Sequence, residues 1–190
     1  MNANAIDIAE NLILTGYLRE AKKILSTILL DEPDNDRAVC YMGIILTETG
    51  ENDKAIKTLD YYIHKHKDNP EAWEALGCAW FKKGDLLRAE EYLHRAECLA
   101  SESPSILRNI GVLYGIQNKI EESHKYIMRS YDLNPYDYRT LYALSYSHLN
   151  QKQYGDAKSV IEEALYLDFP EDIRKELQLI FIKIQINWIQ

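Results

Sequence analysis

Self-similarity at a spacing of 34 residues constrains this chain more than any other property: segments starting at Asn2, Asp36, Pro70, Pro104 and Tyr138 repeat one pattern of small, apolar and turn-forming residues. The eighth place of each segment holds Ala9, Gly43, Gly77, Gly111 or Ser145, and the twentieth holds Ala21, Ala55, Ala89, Ser123 or Ala157. All are small, as two antiparallel helices require where their backbones approach closely. The seventh places (Ile8, Met42, Leu76, Ile110, Leu144) and the twenty-fourth (Leu25, Leu59, Leu93, Ile127, Ile161) give each helix of such a hairpin one apolar stripe.

The fifteenth place, where the first helix must stop, reads Gly16, Gly50, Gly84 and Asn118, residues that tolerate the left-handed backbone of a helix C-cap. Lys152 departs from that pattern and Ile28 and Tyr62 are large for their places, so these three mark the seams where distortion is expected. Asn52, Asp53 and Asp85 follow the turns, placed to cap or favour the second helices. Pro33, Pro70, Pro104, Pro135 and Pro170 all fall at segment junctions. A proline inside a helix costs roughly 3 kcal/mol, so this placement supports the register. The expectation is one domain over residues 1–190, with hairpins at 2–35, 36–69, 70–103, 104–137 and 138–171 and a closing helix at 172–190.

Composition agrees. Eight Gly and five Pro against fourteen Tyr suit long helices joined by short turns, and 46% hydrophobic with 27% charged residues is ordinary for a globular chain. A formal charge of −8 without a basic cluster argues against nucleic acid. No apolar run is long enough for a bilayer, and Met1 to Glu10 carries Asp7 and Glu10 where a secretory signal would be basic, so a cytoplasmic location is expected. Cys40, Cys78 and Cys98 lack Cys-x-x-Cys spacing and read as reduced thiols.

The pattern resembles the tetratricopeptide repeat family, most clearly in the third segment, where Trp73-x-x-Leu76-Gly77-x-x-Trp80 is followed by Ala89, Leu93 and Ala96. The resemblance covers five tandem repeats and implies an all-α, right-handed superhelical solenoid whose first helices line a concave groove. It further implies that the second, fifth, ninth, twelfth and thirteenth places face that groove. There Ile44, Cys78, Phe81, Val112, Ile116, Tyr142, Tyr146 and Leu149 form a nearly continuous apolar track, with Arg108 and Arg139 toward its C-terminal half and Glu10, Glu48, Glu71 and Glu74 toward its N-terminal half. An exposed apolar track is the usual mark of a binding surface, although packing between neighbouring first helices would also account for individual positions. Some members of the family hold a C-terminal carboxylate with Lys and Asn at the fifth and ninth places. Here those places are Cys40 and Ile44, Glu74 and Cys78, or Arg108 and Val112, which argues against that ligand.

In the closing helix, Ile173, Leu177, Ile180, Phe181, Ile184 and Trp188 make the stripe that a solenoid end needs. A second stripe, Leu179, Ile182, Ile186 and Ile189, lies on another side and is in excess of that need. It suits contact with another copy of the chain or with a partner; a crossing helix of the same chain, or a truncated sixth repeat, would also cover it. The alternation from Ile182 to Trp188 fits a short strand as well.

Neither a phosphate loop, a nucleophile elbow nor a His-Glu-x-x-His run occurs. His64 and His66 project roughly 200° apart on a helix, unsuited to one metal, and Asp31, Asp34 and Asp36 lack the glycine and closing glutamate of a calcium loop. The sequence therefore predicts a non-enzymatic scaffold or adaptor, similar to co-chaperones, that takes no cofactor or metal and binds a peptide or helical segment of a partner protein in the groove. The alternatives are a structural subunit that assembles, as a homodimer for example, through the closing helix, or a relative of class II type III secretion chaperones, which are likewise small repeat proteins but carry about three repeats.

Overall fold

The repeat frame sets the helix boundaries. The computed structural model describes residues 2–167 and 170–187. Its helices run in chain order as α1 (Asn2–Leu14), α2 (Leu18–Asp31), α3 (Asp36–Glu48), α4 (Asn52–Lys65), α5 (Pro70–Lys82), α6 (Leu86–Leu99), α7 (Pro104–Ile116), α8 (Ile120–Leu133), α9 (Tyr138–Asn150), α10 (Tyr154–Leu165) and α11 (Glu171–Asn187). The five first helices begin on the first residues of their repeats, and every regular element among the described residues is helical. The alternating stretch from Ile182 is helix through Asn187, not strand. Two compact units result, residues 1–100 with α1 to α6 and residues 101–190 with α7 to α11.

Close approach inside the hairpins explains the small eighth places. A Cβ added to Gly43 would lie 2.6 Å from Leu59 Cδ2, and one on Gly77 would lie 2.8 Å from Leu93 Cγ. At Gly111 it would meet Ile127 Cγ1 at 2.5 Å and, at 3.1 Å, the backbone N of Ile127 and O of Ser123. The eighth place thus packs against the twenty-fourth in each of these hairpins. In the first unit, Ala9, Leu25 and Ile45 belong to one buried cluster and Leu59, Leu76 and Ala79 to another. In the second, Leu141, Leu144 and Ile161 are buried with Leu177 and Ile184 of α11.

At Lys152 the expected distortion does not occur. Lys152 takes the left-handed backbone (φ 60°) much as Asn118 (φ 61°) and Gly50 (φ 79°) do. Its N–H donates to the Leu149 carbonyl at 2.9 Å and that of Gln153 to the His148 carbonyl at 2.9 Å, the same closure seen after α3, where Gly50 and Glu51 donate to Thr47 and Leu46. The hairpin closes because these bonds outweigh the left-handed strain of a non-glycine residue, roughly 1–2 kcal/mol. Ile28 and Tyr62, oversized for their places, are both buried. Tyr62 stays satisfied there because its hydroxyl accepts from Asn69 Nδ2 at 3.0 Å and its ring stacks on His66 at 4.6 Å.

The residues expected to cap or favour the second helices do so in different ways. Asp85 caps α6, accepting from the Arg88 N–H at 3.1 Å, and Asn52 and Asp53 lie within the first turn of α4, where the Asp53 charge favours the helix N-terminus. The remaining side-chain caps precede first helices: Asn35 accepts from Ala38 N, Asn69 from Ala72 N and Asp137 from Arg139 N. These residues close one repeat and open the next.

One titratable pair is packed into the α8–α9 seam. The rings of His124 and His148 meet edge-on at 5.0 Å, with His124 Nδ1 3.0 Å from Ser147 Oγ and His148 Nδ1 donating to Gln153 Oε1 at 2.8 Å. Burial, and then the neighbouring His148, push the His124 pKa below its ordinary value, with Asp156 partly offsetting them.

Three outcomes are expected. Gly111→Leu, which drives a side chain into Ile127 and its backbone, should destabilise by about 1–3 kcal/mol in urea unfolding. Lys152→Gly should stabilise by about 1 kcal/mol in the same assay, whereas Lys152→Ala should not. Because the folded state depresses the His124 pKa, protonation favours the unfolded chain. Stability should therefore hold above about pH 6.5 and decline as pH falls below it, with a flatter profile for His124→Gln in thermal melts across pH 7 to 5.

Candidate protein-binding site

In the second unit, first helices α7 and α9 present a pocket of about 440 Å³. It gathers Arg108, Val112, Ile116, Arg139, Tyr142 and Tyr146, six of the residues that the sequence assigns to a groove. Helical spacing makes this possible, since places five, nine and thirteen recur on one face and small Gly115, at place twelve, leaves room beside them. Ile127, Ser147 and Ile173 of α11 also line it. Ile116, on the last turn of α7, is 64% exposed, an apolar side chain available at the rim. Leu149 is half-buried against the core cluster of this unit and is not part of the pocket lining.

Charge in the pocket is arranged by partners the sequence reading missed. Arg108 lies 2.5 Å from Asp137, and both side chains are largely buried. Asp137 also accepts from the Thr140 hydroxyl at 2.8 Å. Burial raises the Asp137 pKa, but the Thr140 hydroxyl, the Arg108 charge and the Arg139 N–H together more than offset this and hold it below the ordinary carboxylate value. Arg139 is exposed, its guanidinium 5.7 Å from the Tyr138 ring. The Tyr142 and Tyr146 rings pack at 5.0 Å, and the Tyr146 hydroxyl donates to Glu176 of α11 at 2.5 Å. Burial first and the Glu176 carboxylate second push the Tyr146 pKa up, so its hydroxyl stays a donor. Asp137 could have been found from its capping place before α9; Glu176 gives no local signal, since its bond joins α9 to α11 across the whole of α10.

In the first unit, Ile44 is half-buried against the core, and Cys78 and Phe81 are half-buried on α5. Cys40, at a groove place in the repeat frame, is instead buried, and burial with the nearby Glu71 charge pushes its thiol up to about 12, leaving it an unreactive packing residue. Of the acidic residues toward the N-terminal half, Glu10 is locally engaged: it and Asp7 each lie 2.9 Å from Arg37.

On α11 the two stripes separate. Leu177 and Ile184 are buried, while Leu179, Ile182 and Ile186 are 59%, 49% and 56% exposed. Ile189 and Trp188 lie outside the described residues. Among the described residues, no helix is long and apolar enough to cross a membrane, and no group of three or more His, Cys, Asp or Glu could hold a metal ion.

Comparison with known proteins fits this architecture. Tetratricopeptide repeat models match residues 12–78 and 138–170. The structure of TTC0263, a thermophilic tetratricopeptide repeat protein of Thermus thermophilus, superposes with a TM-score of 0.83 over 96% of this chain and 100% of that one, at 15% identity. The APC/C hetero-tetramer Cut9-Hcn1 gives 0.83 over 96% of this chain and 37% of the other, at 17% identity. At such identities the likeness is one of fold. A curated relative, the BBSome complex member BBS4 of Bos taurus, is 26% identical over 153 residues, 80% of this chain, which spans about 30% of that relative's length. With its five in-phase hairpins, solenoid fold and matching repeat models, the chain belongs to the tetratricopeptide repeat family.

Proposed function

We propose that the chain is a non-catalytic scaffold that grips a segment of a partner protein on the face formed by its first helices. The pocket in which Tyr142, Tyr146, Val112 and Ile116 converge beside Arg108 and Arg139 carries this reading. Aromatic anchors in an apolar pocket supply most of the affinity of such contacts, and the two arginines suit carboxylates or carbonyls of an extended or helical peptide. Arg108 is held largely buried by Asp137, whereas Arg139 is exposed on the same face. Phe81, Ile44 and Cys78 offer a further apolar contact on the first unit.

A second reading, assembly into a larger complex through α11, is favoured by the exposed Leu179, Ile182 and Ile186. The BBS4 relative, itself a member of a complex, is in keeping with it. One comparison separates the two. Proteins captured by the immobilised chain and identified by mass spectrometry should be retained by the Ile182→Glu, Ile186→Glu double variant and lost, with affinity falling at least about thirty-fold, from Tyr142→Ala combined with Ile116→Glu. The opposite pattern, with a drop in mass by light scattering for the α11 variant alone, would replace the groove by α11 as the main contact.

A further inference from the structure

A pocket separate from the first-helix face lies between the second helices α4 and α6, beside the start of α5. Its volume of about 590 Å³ is within the range that accepts anchoring side chains. Ile63, Trp73 and Tyr92 form an apolar wall in which the two rings stack at 5.8 Å with 25° between their planes. The Trp73 Nε1–H donates to the Lys67 carbonyl at 2.8 Å, so the indole is fixed in place with its polar atom satisfied. A ring face held this way costs little further ordering when a ligand packs on it.

The rim has a charge that the rest of the chain does not lead one to expect. Lys67 and Arg95 are exposed there, with the Arg95 guanidinium 5.8 Å from the Trp73 ring, against Glu91 as the acidic residue of the lining. His94 faces Glu97 at 2.9 Å. In a chain of formal charge −8, two permanent cations on an aromatic wall are a local reversal that draws carboxylates and repels basic segments.

We propose that this pocket docks an acidic protein segment, which sets one aromatic or large aliphatic side chain against Trp73 and Tyr92 and flanking carboxylates on Lys67 and Arg95. Single-stranded nucleic acid also stacks and pairs with cations, but the formal charge of −8 over the whole chain opposes an extended polyanion, whereas a short acidic peptide meets only the two cations at this rim. The scaffold would then hold two segments at once, one on the first-helix face and one here.

Fluorescence anisotropy tests this with the full chain and a fluorescein-labelled Glu-Asp-Phe-Asp-Glu peptide, compared with Lys-Lys-Phe-Lys-Lys and with octauridine. The acidic peptide should bind saturably and more weakly as salt rises. Arg95→Glu and Lys67→Glu, both at exposed positions, should each weaken it by about ten-fold or more, and Cys98→Trp, which fills the pocket, should abolish it. Lys125→Glu, an equal charge change on α8, should leave it unaltered, and circular dichroism checks that every variant is folded. Absence of acidic-peptide binding, equal binding by the Arg95 and Lys67 variants, or tighter binding of octauridine would each overturn the proposal.

Discussion

The approach of two helix backbones within each hairpin is the constraint on which everything else rests. At Gly43, Gly77 and Gly111 no room remains for a β-carbon unless the facing Leu59, Leu93 or Ile127 moves. Contact this close buries the bulky twenty-fourth place almost completely, so each hairpin gains a dense core from few residues. It also fixes the rotation of both helices. Once places seven, eight and ten of α3, α5, α7 and α9 are committed to the seam, places nine and thirteen are turned away from it, half-buried or exposed and free to carry Ile, Val, Tyr, Glu or Lys without loss of fold. Variation at those places and uniformity at the seam are two results of one packing requirement.

Between repeats a different set of bonds operates. Lys22 with Glu51, Lys83 with Asp53, Arg108 with Asp137, Tyr131 with Glu163 and Tyr146 with Glu176 join residues 29, 30, 29, 32 and 30 apart in sequence, each close to one repeat length. Each unit is thus a near one-dimensional stack whose neighbours are stitched by side chains reaching one repeat ahead. Several of these pairs sit at the surface, where an ion pair contributes about 0–1 kcal/mol, so they set alignment more than stability. Arg108 with Asp137 is the more buried exception, and it lies in the candidate site.

This division explains what the sequence made legible. Seam residues, turns and helix starts follow from period and size, and the helices begin where Asp36, Pro70, Pro104 and Tyr138 place them. Six of the ten residues assigned to a groove meet in one pocket because they share helical places within one unit. Lys152 misled because side-chain identity is a weaker determinant of a C-cap than the two backbone bonds that close it. Tyr62 misled because its oversize is accommodated by Asn69 and His66, partners in the following turn that no rule of repeat size anticipates. Glu176, and the pairing of Asp137 with Arg108, escaped notice because they arise only when adjacent repeats stack.

The closing helix shows how far the repeat logic extends. α11 begins at Glu171, one residue before a sixth repeat would start, and Tyr146 binds its Glu176 across the usual inter-repeat interval. In that frame Leu179 occupies the eighth place and Ile182 the eleventh, positions that in the preceding hairpins turn toward a second helix. Both are exposed, and among the described residues no second helix follows α11. Yet Leu179 is large where Gly43, Gly77 and Gly111 stand, so a helix laid on this face could not approach as closely as the hairpin partners do. Whatever covers Leu179, Ile182 and Ile186 must pack at the wider separation of an ordinary helix interface, with side chains interleaved rather than backbones in contact. Leu179 in the eighth place thus does not suit the tight hairpin from which the repeats themselves are built.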